Sequence, residues 1–346
     1  MRIVQLDPAD EDAARGCHEV RAAAGEADDP RVPPESLSVL RSWLTTGWGS
    51  NPSEAWTAVG EDADGTDAAG TDAAGRVLGF YWIELPDLEN LERAMVILMV
   101  HPAFRRRGAG RELLRHAAGR AAANGRSVLG SVALQGGTGA DFAREAGAKA
   151  GLVEERRVLD LAAAPSGEFA RLHAQAAAKA GGYTLARWLG FTPEEYIDRI
   201  AGALNAMNDA PSDEGWEDDL WDAGRVRARH DGVVRVSTIR RYSVAAVHEE
   251  TGEVAALSQV YIDPEVPWWG SQGLTAVTRP HRGHRLGLLI KTDMLAWLAE
   301  AEPRLERIMT GNAASNKYMI EVNETLGFRL FEPAWEFYQL PVAEVR

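Results

Sequence analysis

One element of this sequence occurs twice, as Val100-His-Pro-Ala-Phe-Arg105-Arg-Arg-Gly108-Ala-Gly110 and as Val277-Thr-Arg-Pro-His-Arg282-Gly-His-Arg285-Leu-Gly287. Val100 corresponds to Val277, Arg105 to Arg282 and Gly110 to Gly287. Each copy follows an apolar β-type run, Ala94 to Val100 and Leu274 to Val277, and opens an apolar helical pattern. A repeat of this kind restricts the fold to two copies of one plan, each with a strand, a tight turn and a helix N-terminus.

That geometry makes an anion site. The first N–H groups of a helix lack intrahelical partners, and the positive end of the helix favours a phosphate. Gly108, Gly110, Gly283 and Gly287 let backbone approach closely or take positive φ, with Ala109 and Leu286 beside them in the same cofactor-binding turns and the second helix expected at Leu288–Leu298. Arg105, Arg106, Arg107, Arg282 and Arg285 add permanent charge, and His284 adds a further donor within the second turn.

The chain has 346 residues and is 45% hydrophobic, enough for about two domains with a core each. Low-complexity Gly65-Thr-Asp-Ala-Ala-Gly70 and Thr71-Asp-Ala-Ala-Gly75 read as the loop of a hairpin between Ala55–Val59 and Val77–Ile83. The first half is expected at 1–162, ending with a strand at Arg156–Leu161. An Ala-rich linker with some helix follows at 163–182. The second half, 183–346, begins with a strand at Tyr183–Leu189 and a helix introduced by Thr192-Pro-Glu-Glu195. Asp219–Arg229 is expected to be helical, and Arg241–Glu249 and Val254–Ile262 to pair across Glu250-Thr-Gly252. The fold class is mixed α/β with flanking helices, duplicated in tandem.

A net charge of −14 argues against nucleic acid as a partner, since a phosphate backbone requires a basic face. The single cysteine, Cys17, excludes an internal disulfide framework and a cysteine-based metal cluster. No apolar run reaches the ~18 residues of a membrane span, and the N-terminus lacks the apolar stretch of a signal peptide. Cytoplasmic location is the expectation, with no metal, no membrane partner and an unassigned oligomeric state.

At the duplicated turns the chain resembles the GNAT superfamily of acyl-CoA-dependent N-acetyltransferases, whose pyrophosphate loop reads Gln/Arg-x-x-Gly-x-Gly/Ala. The first copy matches in full; the second has Arg285 at the first glycine position. Gly311-Asn-Ala-Ala-Ser-Asn316 through Gly327-Phe328 is similar to the superfamily's second block, which implicates Asn312 and Asn316 in cofactor binding. The first half has no such asparagine in Gly139–Gly147. The superfamily's proton-donating tyrosine is replaced by Asn323. Trp269–Val277, with Trp216–Trp221 upstream, looks like tandem actinobacterial GNAT proteins, a two-domain plan that mycothiol synthase shares more distantly.

The resemblance implies transfer of an acetyl group from acetyl-CoA to a small-molecule amine by direct attack in a ternary complex. Val100 and Val277 stand beside the expected cofactor loops, where a backbone N–H after a strand bulge would polarise the thioester carbonyl. Asp209 is the first candidate base, ahead of Asp213, Glu217 and Asp263, and Tyr318 is the candidate acid. The competing readings are a non-catalytic acyl-CoA-binding or scaffold protein and a protein N-acetyltransferase.

Overall fold

The computed structural model describes residues 1–47, 51–60, 75–212 and 215–345. Most of the low-complexity stretch read as a hairpin loop, 61–74, lies outside the described residues, as does Asp213. The chain forms two compact units, Met1–Leu152 with Trp335–Arg346, and Val153–Ala334. Both boundaries depart from a division into consecutive halves, because each unit draws one strand from the other half of the sequence.

The first unit contains β1 (Arg2–Gln5), α1 (Glu11–Asp28), α2 (Leu37–Thr46), β2 (Ser53–Val59), β3 (Val77–Glu84), β4 (Arg93–Val100), α3 (Ala109–Ala123), β5 (Val128–Leu134) and α4 (Thr138–Glu145). Asp10 caps α1 and Ser36 caps α2, each accepting from backbone N–H groups in the first turn. β1 to β4 are antiparallel neighbours, and β4 and β5 run parallel. The last strand of the chain, Trp335–Pro341, pairs antiparallel along the whole of β5.

Period-two alternation gives the β3 strand two buried faces. Phe80 and Trp82 pack with Cys17, Val20, Leu40 and Leu44 of α1 and α2, whereas Tyr81 and Ile83 pack with Leu113, Ala117 and Ala121 of α3. Burial pushes the Cys17 thiol up to about 12, so it is a packing residue with no thiolate at neutral pH.

The second unit takes β6 (Lys149–Asp160) from Val153 onward, then α5 (Glu168–Ala177), β7 (Tyr183–Leu189), α6 (Glu194–Asn205), short helical turns α7 (Ala223–Arg225) and α8 (Gly232–Val236), β8 (Arg240–His248), β9 (Val254–Ile262), β10 (Trp269–Val277), α9 (Leu286–Ala301), β11 (Arg307–Ala313), α10 (Lys317–Thr325) and β12 (Arg329–Leu330). With the closing strand above numbered β13, its sheet runs β7-β8-β9-β10-β11-β6, and β12 also pairs with β6. The β10–β11 pair is parallel, as β4–β5 is in the first unit.

Three local expectations change. The Ala-rich stretch expected as a linker with some helix does contain a helix, α5, but its Leu172 and Ala176 join the core of α9 and the sheet. Thr192 does not cap α6: its hydroxyl donates to Asp231 at 3.0 Å, and Pro193 takes the capping position without a side-chain bond. Asp219–Arg229 is not one helix, for α7 passes into a π-helical turn at Val226–His230.

Candidate functional site

In both units the parallel strands part just before the duplicated turn. β4 pairs with β5 only over Arg93–Met95, although it continues to Val100; β10 pairs with β11 only over Trp269–Ser271, although it continues to Val277. Each strand then enters a 3-10 turn, Pro102–Phe104 or Arg279–His281, and a helix. The residue before each helix is left-handed, Gly108 at φ 93° and Arg285 at φ 57°, and no side chain caps either helix. The first intrahelical bonds are Glu112 N–H to the Gly108 carbonyl and Leu289 N–H to the Arg285 carbonyl. The N–H groups of Ala109, Gly110 and Arg111, and of Leu286, Gly287 and Leu288, precede those bonds, forming a donor set suited to an anion.

The leading arginine of each turn is a brace. Arg105 Nε donates to the Val100 carbonyl at 3.1 Å and its other nitrogens pair with both carboxylate oxygens of Asp28 at 2.8 and 2.7 Å. Arg282 repeats this: Nε donates to the Val277 carbonyl at 3.1 Å, and Nη2 pairs with Asp209. Arg279 also pairs with Asp209. Hydrogen bonds from Arg279, then Arg282, hold the Asp209 carboxyl below its ordinary range. The expected base is therefore a carboxylate clamped by two guanidiniums, which weakens it as a proton acceptor and makes it a fastener of the turn.

The remaining turn residues are closer to solvent. Arg106 (φ 62°) reaches Glu145 at 3.5 Å, and Arg107 lies 5.7 Å from the Phe104 ring centre. Arg285 is exposed and Leu286 buried. His284 lies beside Tyr183, with ring centres 5.5 Å apart, and His281 Nδ1 is 2.8 Å from the Tyr183 hydroxyl. His101 accepts from Ala103 N–H at 3.2 Å, a turn role.

The asparagine block divides in function. Asn316 caps α10, accepting from Met319 N–H at 3.3 Å, so its carbonyl oxygen is engaged structurally. Asn312, at the end of β11, accepts from Asn323 Nδ2 at 2.7 Å; Asn323 is fully buried. Tyr318 sits in the first turn of α10 and is 87% exposed. Trp269 is buried and Trp268 exposed. Asp263 accepts from Glu265 N–H at 3.0 Å, a loop-forming bond.

Only the second unit has a bulge in the strand before its turn. Gln272 faces Val260 and Thr275 faces Ser258, so Gly273 and Leu274 stand opposite Gln259 alone. A Cβ on Gly273 would come 2.4 Å from the Tyr261 ring, so the bulge needs glycine there. β4 pairs with β3 without such a shift, and Ser131 Oγ donates to the Val96 carbonyl at 2.8 Å, bridging the parted strands.

Sequence reasoning missed the polar groups under this bulge. Tyr261 donates to Gln259 Oε1 at 3.2 Å, and Gln259 Nε2 lies 3.1 Å from both His230 Nε2 and Ser243 Oγ. Burial, reinforced by Arg241, pushes His230 down to about 3, so the imidazole is neutral. Arg241 is completely buried against Asp231 and donates to the His230 and Gly190 carbonyls at 2.6 and 2.9 Å. On the opposite face, Lys291 Nζ donates to Gln272 Oε1 at 2.9 Å. One signal was available: Lys291 interrupts the apolar run Leu286-Gly-Leu-Leu-Ile290 and Met294-Leu295.

Comparison with known proteins agrees with this geometry. Residues 31–136 match the Acetyltransferase (GNAT) family. Among solved structures, a tandem GNAT protein from the clavulanic acid biosynthesis pathway superposes with a TM-score of 0.76 at 27% identity, covering 99% of this chain and 98% of that one. A GCN5-related N-acetyltransferase from Sphaerobacter thermophilus gives 0.63 at 17% identity over 99% and 95%. A putative acetyltransferase from Pyrococcus horikoshii gives 0.54 at 13% over 98% and 89%. No curated protein matches the sequence significantly. The first unit thus carries a GNAT acetyltransferase domain. The whole chain has the fold of tandem GNAT proteins, as the duplicated turns imply.

Among the described residues no helix is long and apolar enough to cross a membrane, and no cluster of three or more His, Cys, Asp or Glu side chains is arranged to hold a metal.

Proposed function

We propose that this chain is an acetyl-CoA-dependent N-acetyltransferase of a small-molecule amine, with the chemistry in the second unit. The observation that carries this reading is the uncapped α9 N-terminus beside a bulged strand that parts from its parallel neighbour. The donor set fits the cofactor: Leu286, Gly287 and Leu288 N–H groups with Arg285 and His284 would hold the pyrophosphate, and Asn312 borders the parted strands. Gly110 and the Arg106–Ala109 turn offer the same kind of cradle in the first unit.

Bound acetyl-CoA supplies an activated acyl group as a thioester. The chain's own part is electrostatic and positional. Bulge backbone at Gly273–Leu274, left without a ladder partner, is the group offered to a carbonyl oxygen that gains charge during amine attack. Neutral His230 and the Gln259–Tyr261 pair, with Gln259 fully buried, put uncharged polar groups beneath the bulge, an environment that would favour an uncharged amine. Tyr318 is the proposed proton donor to the departing thiolate.

A binding-only role for the first unit rests on a separate observation. Its β4 has no bulge, Ser131 bridges the parting, and Trp82 fills the position corresponding to Gln259 with buried indole.

Purified full-length protein with acetyl-CoA and a broad amine panel should release free thiol with at least one amine. Calorimetric CoA binding without release by any amine would leave a binding protein instead. No CoA binding would remove both readings.

A further inference from the structure

The β10 bulge is held from below by a buried side-chain pair. β10 has lost β11 as a partner beyond Ser271, and its ladder with β9 shifts by one residue after Gln272. The segment Gln272–Thr275 is therefore paired on one side only, and there out of register. Side chains replace the missing bonds: Gln272 Nε2 donates to the Gln259 carbonyl at 2.6 Å and to Ser258 Oγ at 3.2 Å, and Ser258 Oγ lies 2.9 Å from Thr275 Oγ1.

This set works in only one orientation of the Gln272 amide. Flipped, it would present an oxygen to the Gln259 carbonyl, and the two acceptors would repel. The Gln259 carbonyl can only accept from Nε2, and Lys291 as an ammonium can only donate to Oε1, so the two together select the orientation in which Nε2 faces β9. Lys291 is 3% exposed and stands 5.3 Å over the Phe328 ring. It borders a cavity of about 10 Å³ lined by Val260, Met294, Leu295, Ile308 and Leu326 together with Gln272 and Phe328. None of these lining groups is acidic or basic, so the amine has no counter-charge to balance its desolvation.

The first unit serves as an internal control. Gly79 pairs with Val100 as Ala256 pairs with Val277, so once the extra residue of the bulge is allowed for, Val96, opposite Ile83, stands where Gln272 stands opposite Val260; counting on along the helix, Leu114 stands where Lys291 does. There the pair is apolar, and the strand has no bulge.

We infer that Lys291 and Gln272 are positioning residues that set the β10 bulge, and so aim its backbone at the acyl carbonyl. This rests on the proposed acetyl-CoA chemistry, and the test separates the two. Lys291→Met keeps the length and removes a buried amine, so the variant should fold; thermal melting checks this. Calorimetry with CoA and infrared spectra of bound acetyl-CoA labelled with ¹³C at the carbonyl are then compared. Wild type should bind CoA and lower the carbonyl stretch relative to free acetyl-CoA. In Lys291→Met, CoA affinity should stay within about twofold, while the carbonyl band returns towards its free position and acetyl transfer falls tenfold or more. Gln272→Met should reproduce both effects, whereas Lys291→Gln, which keeps a donor, should restore part of the band shift. An unshifted band relative to wild type in Lys291→Met overturns the inference and leaves the acetyltransferase reading intact. Parallel loss of CoA affinity and band shift also overturns it, by making the pair merely structural. Failure of wild type to bind CoA overturns both.

Discussion

The two duplicated turns follow one backbone path with glycine and arginine in opposite order. Each turn needs left-handed backbone at two alternate positions. The first supplies them as Arg106 (φ 62°) and Gly108 (φ 93°), the second as Gly283 (φ 90°) and Arg285 (φ 57°). Arg285 therefore does not spoil the second turn, as a glycine pattern alone suggests, because Gly283 carries the other half of the demand. The braces are equivalent too, Asp28 for Arg105 and Asp209 for Arg282. What differs lies in the sheet. The first unit has Trp82 and Ala55 where the second has Gln259 and its cross-strand partner Ser243. A common anion cradle thus sits beside one sealed sheet face and one chemically furnished face.

The sharpest way to break that contrast is to remove the charge beneath the furnished face. Asp231→Ala leaves the fully buried Arg241 guanidinium uncompensated, and loss of one partner of a buried ion pair costs about 3–5 kcal/mol. Chemical denaturation should show this loss, with the second unit melting first if the units unfold separately. A loss under about 1 kcal/mol would mean that water reaches Arg241 and that the face is less enclosed than its burial indicates.

Lys291 gives the next largest effect, and its sign depends on pH. Burial pushes the amine from 10.5 down to about 7. The unfolded chain therefore binds the proton over that interval while the folded chain does not, and stability rises with pH from about 7 to 10.5. At ~1.4 kcal/mol per pH unit, less the lost hydrogen bond to Gln272, Lys291→Met should stabilise the protein by on the order of 3 kcal/mol at pH 7. The gain should disappear near pH 10.5. A gain independent of pH would assign it to packing alone. Leu114→Met in the first unit, where no amine is removed, should show no such pH dependence.

The strand-turn-helix units were legible because their signals are local: an apolar run, Gly and Arg at fixed offsets, and a helical apolar face. Tyr183–Leu189 was legible for the same reason. Pairing partners were not. Nothing in Arg156–Leu161 says that β6 joins the second sheet, or that Trp335–Pro341 closes the first, because strand composition leaves sheet neighbours open. Site chemistry was legible only where a motif held it in sequence. Asp209 was read as a base from its place near the cleft, but its protonation state is set by Arg279 and Arg282, some 70 residues away in sequence. Gln272, Lys291 and Gln259 form one polar system from three separate elements, which composition cannot assemble. Thr192 had the right residue type for a cap, and a buried carboxylate competed successfully for its hydroxyl.

Cofactor binding compares the two braces directly. Arg282→Ala should weaken CoA binding about tenfold, and Arg105→Ala less, because only the second turn has Asn312 and parted strands without a serine bridge beside it. Both arginines hold strand-end carbonyls, so each substitution should also loosen its turn. Equal losses measured by calorimetry would make the two cradles equivalent and remove the division of labour proposed for the units.

The smallest effect isolates the turns from everything around them. A non-glycine residue in left-handed backbone costs roughly 1–2 kcal/mol, and glycine pays part of that back through its larger unfolded-state entropy. Arg106→Gly and Arg285→Gly should therefore each stabilise the protein by about 0.5–1 kcal/mol, by the same amount in both units if the backbone paths are equivalent. Their effects on CoA affinity should differ in kind. Arg106 shares its charge with Glu145, whereas Arg285 is exposed at the residue preceding α9, so Arg285→Gly should weaken CoA binding and make it less sensitive to salt. Matching gains in melting temperature, with a salt-dependent affinity loss confined to Arg285→Gly, would separate the arginine's backbone strain from its charge. An affinity loss in Arg106→Gly of equal size would instead make Arg106 a phosphate contact equivalent to Arg285.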